Sequence, residues 1–248
     1  MADIPPASPG AFPRTRASLV RAAGSADVET RRQAFGALAG GYWRPVYKYL
    51  RLRWGAAAEE AEDLTQGFFA RALEKGFFAQ YDPQRARFRT WLRTCLDGFV
   101  SNERAAARRL KRGGGAALLP LDFAEAEAEL AGSAAWPEAD VEERFRREWV
   151  RALFAGAVAE LQEECRAAGK GVRFALFERY DLDPPPEGRP TYAQLAGDFA
   201  LPVTQVTNHL SAVRRDFRRL VLARLRAATG SEDEFRAEAR DLLGGMPP

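Results

Sequence analysis

Arginine and lysine are concentrated in two stretches of the sequence, where their side chains are suited to bind phosphate. Residues 85–112 hold nine basic side chains against two acidic ones, a net charge of +7, and residues 201–226 hold six arginines against one aspartate, a net charge of +5. Between them, residues 121–148 carry nine acids and three bases, a net charge of −6. Two cationic blocks separated by an acidic stretch indicate two surfaces that face a polyanion, although each block alone also fits a solvated helix face.

Aromatic side chains accompany the first basic block: Phe77, Phe78 and Tyr81 precede it, and Phe88 and Trp91 lie within it. An unpaired base stacks on an aromatic ring while arginine and lysine hold the backbone, which is the chemistry of single-stranded nucleic acid binding. Taken singly, each of these rings is more often part of a protein core. Their interleaving with arginines is what favours the nucleic-acid interpretation.

A long helix predicted over about 87–111 separates the side chains of this block into two faces. Apolar residues recur at helical spacing and form one stripe, namely Phe88, Leu92, Cys95 and Phe99. Basic residues fall on the opposite side, namely Arg93, Arg104, Arg108 and Lys111. Because Cys95 belongs to the apolar stripe, its predicted role is structural.

The second basic block is predicted to contain a helix-turn-helix. Thr191 and Gln194 form a capping-box pattern at the start of a short helix that ends near Phe199, and Pro202 suits the first turn of a second helix, over 203–226. Four apolar residues of the second helix share an inward face: Val206, Leu210, Val213 and Phe217. Side chains that read base edges or clamp phosphate project outward: Thr204, Gln205, Asn208, Arg215 and Arg219. His209 is interpreted as a contact to the groove edge or to phosphate.

Composition excludes several other classes of protein. Two cysteines and one histidine in 248 residues leave little material for a disulfide scaffold, a zinc site or a histidine-based catalytic relay. No apolar run approaches the roughly 18 to 20 residues that span a bilayer, and the first residues lack the pattern of a secretory signal. We therefore expect a protein of the reducing cytoplasm.

The elements around these residues predict an all-α fold, because helical periodicity recurs along the chain and no alternating strand pattern is found. Further helical stretches are expected over 30–39, 42–54, 59–75, 136–166 and 171–179. We expect two small helical domains joined by a flexible acidic linker. The predicted segments are a disordered leader over 1–17, a helical domain over 18–112, the linker over 113–136, a helix-turn-helix domain over 137–226 and a tail over 227–248.

Three motifs in this order resemble the sigma-70 family of bacterial RNA polymerase sigma factors, most closely its small two-domain, extracytoplasmic-function-like type. Glu-Asp-Leu-Thr-Gln-Gly-Phe-Phe at 62–69 is similar to the family helix that docks on core polymerase. Phe-Arg-Thr-Trp-Leu-Arg at 88–93 is similar to the start of the helix that melts and recognises the minus-ten element. Tyr-Ala-Gln-Leu-Ala at 192–196, with the helix after Pro202, resembles the minus-thirty-five helix-turn-helix.

The resemblance implies a specificity subunit that directs core polymerase to promoters and assists DNA melting. It also implies a protein that is not an enzyme and that has no cofactor, metal or small-molecule substrate. Its partners would be core polymerase and promoter DNA, and the presence of an anti-sigma protein stays open. The implied polymerase contacts are Asp63, Gln66 and Phe69. The implied minus-ten and melting residues are Phe88, Trp91, Arg93, Asn102, Arg104, Arg108, Arg109, Lys111 and Arg112. The implied minus-thirty-five contacts are Thr204, Gln205, Thr207, Asn208, His209, Arg214, Arg215 and Arg219.

Three positions depart from the family pattern. Gly98 stands where the family commonly has asparagine, Asn102 where it often has aspartate, and Pro202 where serine usually caps the recognition helix. These departures predict an unusual promoter preference.

Other classes of protein remain open from the sequence. A helix-turn-helix regulator that acts without polymerase would need a dimer and a palindromic site. A helical interaction adaptor would keep the charge pattern without binding DNA. An enzyme built on carboxylates such as Asp63 or Glu74 is the weakest alternative, because no pair of acids lies in an apolar setting.

Overall fold

The computed structural model describes residues 19–107, 121–130, 133 and 135–243. All regular secondary structure within these residues is helical, which confirms the all-α prediction. The elements are α1 (Leu19–Ala22), α2 (Val28–Leu52), α3 (Ala58–Glu74), a 3-10 turn (Phe77–Gln80), α4 (Phe88–Ala107), α5 (Phe123–Ala128), a 3-10 turn (Glu138–Asp140), α6 (Val141–Ala167), α7 (Gly171–Phe177), a π-helical turn (Glu178–Leu182), α8 (Tyr192–Asp198), α9 (Val203–Ala228) and α10 (Glu232–Leu243). Among the described helices, none is long and apolar enough to cross a membrane.

The chain divides into two compact units, and the boundary differs from the predicted one. The first unit holds the described residues of 19–153 and 225–243, and the second unit holds Phe154–Arg224. The predicted boundary near Trp136 is not where the chain divides, because the first half of α6 belongs to the first unit. Its Phe145 and Trp149 are buried there against Tyr49 and Tyr42 of α2, with ring centres 5.7 and 6.3 Å apart.

Helix α2 is the central element of the first unit. The sequence predicts two helical stretches interrupted near Gly40 and Gly41, but the helix is continuous from Val28 to Leu52. Buried residues on both sides of the two glycines explain the difference, because packing outweighs the roughly 1 kcal/mol that each glycine costs in a helix. The start of α2 is fixed by Asp27, whose carboxylate accepts a hydrogen bond from Thr30 N at 2.7 Å.

The core of the first unit is unusually rich in aromatic rings, contributed by α2, α3 and α4. The largest fully buried side chains there include Tyr42, Tyr47, Tyr49, Phe68, Phe69 and Phe88. The predicted stripe of α4 is confirmed at Phe88, Leu92 and Phe99, which are buried. Cys95 is half-buried, and burial raises the pKa of its thiol to about 11. A thiol with so high a pKa is protonated at neutral pH, which suits the structural role predicted for it.

Part of the predicted acidic linker is folded onto α2. Asp122 caps α5 by accepting a hydrogen bond from Glu125 N, and Phe123 is buried against the rings of Trp43 and Tyr47, 5.4 and 5.1 Å away. Acids of this segment pair with a basic row on α2: Arg44 with Glu125 and Glu129, Lys48 with Glu129, and Arg51 with Glu127. Lys48 also pairs with Glu148 of α6. An aromatic anchor and complementary charge therefore hold residues that composition alone assigns to a solvated tether.

The second unit contains the predicted pair of helices, α8 and α9, preceded by α7. Its apolar centre is formed by Leu176, Leu195, Val206 and Leu210. Both halves of the predicted capping box are present, since Gln194 N donates to Thr191 Oγ1 and Thr191 N donates to Gln194 Oε1. The leader predicted over 1–17 lies outside the described residues.

Candidate polymerase and nucleic-acid interfaces

The solvent side of α3 carries two of the three residues predicted to contact polymerase. Asp63 is exposed and Gln66 is half-buried, while Leu64 and Phe68 on the other side of the helix are buried. The acids Glu59 and Glu60 in the first turn give the same end of α3 a negative character. This part of α3 offers a polar, acidic surface for a protein partner.

Phe69, the third predicted polymerase contact, lies in the core instead. Its side chain is 1 % exposed, and its ring lies 6.2 Å from Phe35 and 5.4 Å from Phe68, measured between ring centres. The apolar stripe of α3 is wide enough to include both neighbouring phenylalanines, so the second one stabilises the fold and is not available to a partner.

The aromatic rings before and within α4 form one cluster. Phe88 is completely buried, and its ring centre lies 5.2 Å from Tyr81 and 5.7 Å from Phe78 and Trp91. Trp91 is half-buried. Phe88 therefore cannot stack on a base in this conformation, and Trp91 is the ring of the predicted pair that is partly accessible to solvent.

The predicted basic face of α4 is paired internally where the structure describes it. Arg93 Nε donates to Glu142 at 3.1 Å and Arg93 Nη1 to Asp97 at 3.2 Å. Arg104 Nε donates to Glu60 at 3.1 Å, and its Cζ lies 5.3 Å from the centre of the Trp54 ring. These two arginines are half-buried rather than fully solvated, so a phosphate would have to compete with carboxylates for them.

The two unusual positions of α4 both lie on its surface. Asn102 is exposed, and a Cβ atom built on the exposed Gly98 would meet nothing within 4 Å. Arg108, Arg109, Lys111 and Arg112, also predicted to bind the minus-ten element, lie outside the described residues.

The second interface is the outer face of α9. Thr204, Gln205, Thr207 and Asn208 are exposed at the start of this helix, and His209 is half-buried. Side chains that hydrogen-bond bases therefore cluster where a recognition helix enters the major groove. Thr207 Oγ1 also donates to Val203 O at 3.0 Å, within the helix itself.

The arginines of α9 do not share one environment. Arg214 forms two hydrogen bonds to Asp181, at 2.8 and 3.0 Å, and lies over the ring of Tyr180. These bonds raise its pKa further above the ordinary value of arginine. Arg215 and Arg219 are both exposed, but Arg219 pairs with Glu164 at 2.5 Å. Arg215 is thus the best placed of the three for phosphate, and Arg214 connects α9 to the π-helical turn.

The turn between α8 and α9 depends on a backbone conformation that the sequence does not predict. Ala200 has a φ of 52°, in the left-handed region that glycine usually occupies. The following Leu201 N donates to Ala196 O at 2.9 Å, which closes the end of α8. Four residues, 199–202, thus connect α8 to α9.

Several residues that shape these surfaces were not predicted from the sequence. Asp97 accepts hydrogen bonds from Tyr49 and Trp54 as well as from Arg93, and these contacts hold α4 against α2. Burial together with the Asp97 contact raises the pKa of Tyr49 to about 12. Arg87 and Arg89 lie on either side of Phe88 and form ion pairs with acids of α10. Their positions next to Phe88 in the sequence could have identified them as part of this surface. In the described part of the chain, no group of three or more histidine, cysteine or acidic residues is arranged to hold a metal ion.

Comparison with known families identifies one region. A family model of sigma-70 region 2 matches residues 39–110, which include most of α2, all of α3 and the described part of α4. No curated protein and no solved structure shows significant similarity to the chain. The match covers both motifs of the first unit on which the predicted resemblance depends, at 62–69 and 88–93, and it bears out the resemblance to the sigma-70 family. The two-domain, extracytoplasmic-function-like type stays a prediction. Residues 39–110 are therefore similar to region 2 of the sigma-70 family of RNA polymerase sigma factors.

Proposed function

We propose that this protein is a two-domain, extracytoplasmic-function-like sigma factor that directs core RNA polymerase to promoters and assists DNA opening. The observation that carries the proposal is the sigma-70 region 2 at residues 39–110, which supports a role in promoter recognition and transcription initiation. A helix-turn-helix with base-reading side chains in a separate compact unit agrees with it. The polymerase supplies the chemistry, and the chain supplies specificity.

The exposed end of α3 is assigned to polymerase in this proposal. Asp63 and Gln66 project from the helix whose sequence resembles the docking motif of the family, and the core of the unit holds the opposite face of that helix. Exposed carboxylate and amide groups at fixed helical spacing suit a polar protein interface. Phe69 supports this surface from below, since it packs in the core.

The outer side of α4 is assigned to the minus-ten element. Trp91 is the half-buried ring on which a flipped base would stack, and such stacking stabilises a single strand by about 1 to 3 kcal/mol per base. Extruding a base costs a few kcal/mol, so stacking is of the right size to trap it. Arg93 and Arg104 would exchange their carboxylate partners for phosphates.

The outer face of α9 is assigned to the minus-thirty-five duplex. Gln205 and Asn208 are suited to adenine edges, and Arg215 is suited to guanine or phosphate. Two DNA sites on one chain reinforce each other through effective concentration, so neither needs high affinity alone. Modest contacts from the exposed Arg215 and Arg219 would then be enough to contribute to promoter selection.

Run-off transcription tests the proposed function directly. Purified protein is added to core polymerase with a pool of genomic promoter fragments, and the transcripts are sequenced. We expect a discrete set of start sites that is absent with core polymerase alone and absent with the Asp63→Ala variant. Failure of the chain to co-elute with core polymerase, or transcripts identical to those of core polymerase alone, would contradict the proposal.

A helix-turn-helix regulator that works without polymerase is the second candidate. The observation that favours it is the internal pairing of Arg93 and Arg104, which leaves the outer face of α9 as the more accessible DNA-binding surface. Such a regulator would be a dimer that protects a palindromic site. Size-exclusion chromatography separates the two candidates, because a monomer that joins core polymerase supports the sigma factor.

A further inference from the structure

Helix α10 forms the C-terminal part of the first unit and is held there by its acidic residues. It begins after Ser231, whose hydroxyl accepts a hydrogen bond from Glu234 N at 3.1 Å. Glu234 Oε2 in turn accepts from Gly230 N at 2.8 Å. These contacts fix the turn between α9 and α10 and direct the carboxylates of α10 toward the start of α4.

Two carboxylates of α10 occupy the positions at the start of α4 where an anion would bind. Phe88 N, the first amide of α4, donates to Glu234 Oε1 at 2.9 Å. Glu238 is completely buried, and its Oε1 accepts hydrogen bonds from Arg87, at 2.5 Å, and from Arg89. A helix N-terminus flanked by two arginines is a strong anion site, because the free amides and the guanidinium groups attract the same negative charge.

The fit between Glu238 and the arginines is incomplete. Arg89 is only 5 % exposed, yet its Nε has no hydrogen-bond partner, and Glu238 Oε2 is likewise buried without one. Arg146 Nε lies 3.9 Å from Oε2, which is beyond hydrogen-bond distance. Buried groups left unpaired weaken such a contact, and an anion with more acceptor oxygens could also accept a hydrogen bond from Arg89 Nε.

We propose that the start of α4 is a phosphate-binding site for a single DNA strand and that α10 is its internal competitor. Glu234 and Glu238 take the place of phosphates while the chain is free, and α10 leaves when a strand binds. This inference rests on the proposed function, because a protein that assists DNA opening meets a single strand next to α4. The partially exposed Arg87 provides the point at which a strand first competes.

Hydrogen exchange on the full-length chain tests the competition without any substitution. The probe is a 12-nucleotide oligo-dT strand, and the readout is the exchange rate of the α10 amides with and without saturating probe. We expect exchange in α10 to become faster when the strand binds, although ligand binding normally slows exchange. Binding of the strand with unchanged or slower exchange in α10 would overturn the inference.

Gly230→Ala should weaken the contact between α10 and the start of α4 without changing the charge of the protein. A Cβ atom at position 230 would lie 2.1 Å from a ring carbon of Tyr81, so either the Tyr81 ring or the turn before α10 has to move. The matched control is Gly36→Ala on α2, where a Cβ atom meets nothing within 4 Å. We expect Gly230→Ala to bind oligo-dT about tenfold more tightly than the control. A gain of this size is expected if the site is open in about one molecule in ten of the control and in nearly every molecule of the variant. Adding Arg87→Gln should abolish the gain.

The outcomes separate this inference from the proposed function. Faster α10 exchange in Gly230→Ala with the affinity of the control would overturn the competition even if run-off transcription succeeds. Conversely, release of α10 by the strand in a chain that never supports transcription would contradict the sigma-factor proposal and keep the competition. Absence of binding by both the wild-type chain and Gly230→Ala would overturn the phosphate site.

Discussion

Glu127 of α5 and Arg51 of α2 form a two-pronged ion pair: Arg51 Nε donates to Oε2 at 2.9 Å and Nη2 to Oε1 at 2.5 Å. The hydroxyl of Tyr47 donates to the same carboxylate at 2.6 Å. The bond from Arg51 is the main reason why the pKa of Glu127 is lowered to about 2. This carboxylate is therefore the clearest pH-sensitive link between the acidic segment and α2.

The Glu127–Arg51 pair predicts a defined pH dependence of stability. Because the pKa of Glu127 is lower in the folded chain than its ordinary value of 4.5, its stabilisation is present above about pH 4.5 and is lost as the pH falls toward 2. Glu127→Gln should lower the free energy of unfolding at pH 7 by about 1 kcal/mol, the size expected for a partly exposed pair. Denaturant titrations at pH 7, 4 and 3 should show this difference shrinking.

The control for this experiment is Glu138→Gln, which removes a highly exposed partner 3.5 Å from Arg53 and should have no measurable effect. An equal loss of stability for Glu127→Gln at pH 7 and pH 3 would contradict the assigned ion pair.

Substitutions of Asp63 and Phe69 should have different effects, although both residues belong to the same motif. Asp63→Ala removes an exposed carboxylate, so it should weaken co-elution with core polymerase and leave the unfolding curve unchanged. Phe69→Ala removes a buried ring and should destabilise the chain by about 3 to 5 kcal/mol. Thermal melts and polymerase co-elution of both variants check the assignment, and full stability of Phe69→Ala would refute it.

Arg215→Ala should weaken binding of upstream duplex DNA evenly across sequences if this exposed side chain contacts phosphate. The slope of log affinity against log salt should then fall by about 1. Fluorescence anisotropy at several salt concentrations measures both quantities. Arg166→Ala is the control, since Arg166 is also exposed in the second unit but pairs with Glu163 on its own helix. An unchanged salt slope in Arg215→Ala would remove this residue from the phosphate contacts.

The left-handed backbone of Ala200 predicts a stabilising substitution. Ala200→Gly should raise the stability of the second unit by about 1 kcal/mol, because relief of the left-handed strain exceeds the entropy that glycine loses. Ala223→Gly, at an exposed position within α9, should instead cost about 1 kcal/mol. Denaturant unfolding followed by circular dichroism measures both, and equal losses for the two variants would contradict the role of the turn.

Local features of the sequence predicted local structure well. The capping box of Thr191 and Gln194 and the apolar stripe of α4 follow from interactions between residues three or four positions apart, and the structure contains both. Helix α10 was not predicted, although Ser231 followed by Glu234 is a helix-start signal of the same kind. Its low apolar content concealed it.

The pairing of the functional side chains could not be predicted from the sequence. The carboxylates that hold Arg93 and Arg104 come from Glu142 and Glu60, 49 and 44 positions away along the chain. Only the folded helices bring such groups together. For Phe69, the sequence favoured a partner contact and packing decided otherwise, because two adjacent phenylalanines leave open which one a wide stripe includes.

The division of the chain into two units has a spectroscopic consequence. All five tryptophans belong to the first unit: Trp43, Trp54, Trp91, Trp136 and Trp149. Intrinsic indole emission thus monitors the melting of that unit alone, and the helix-turn-helix is optically silent in this channel. A denaturant titration followed by both tryptophan fluorescence and far-ultraviolet ellipticity will reveal whether the two units unfold together or one after the other.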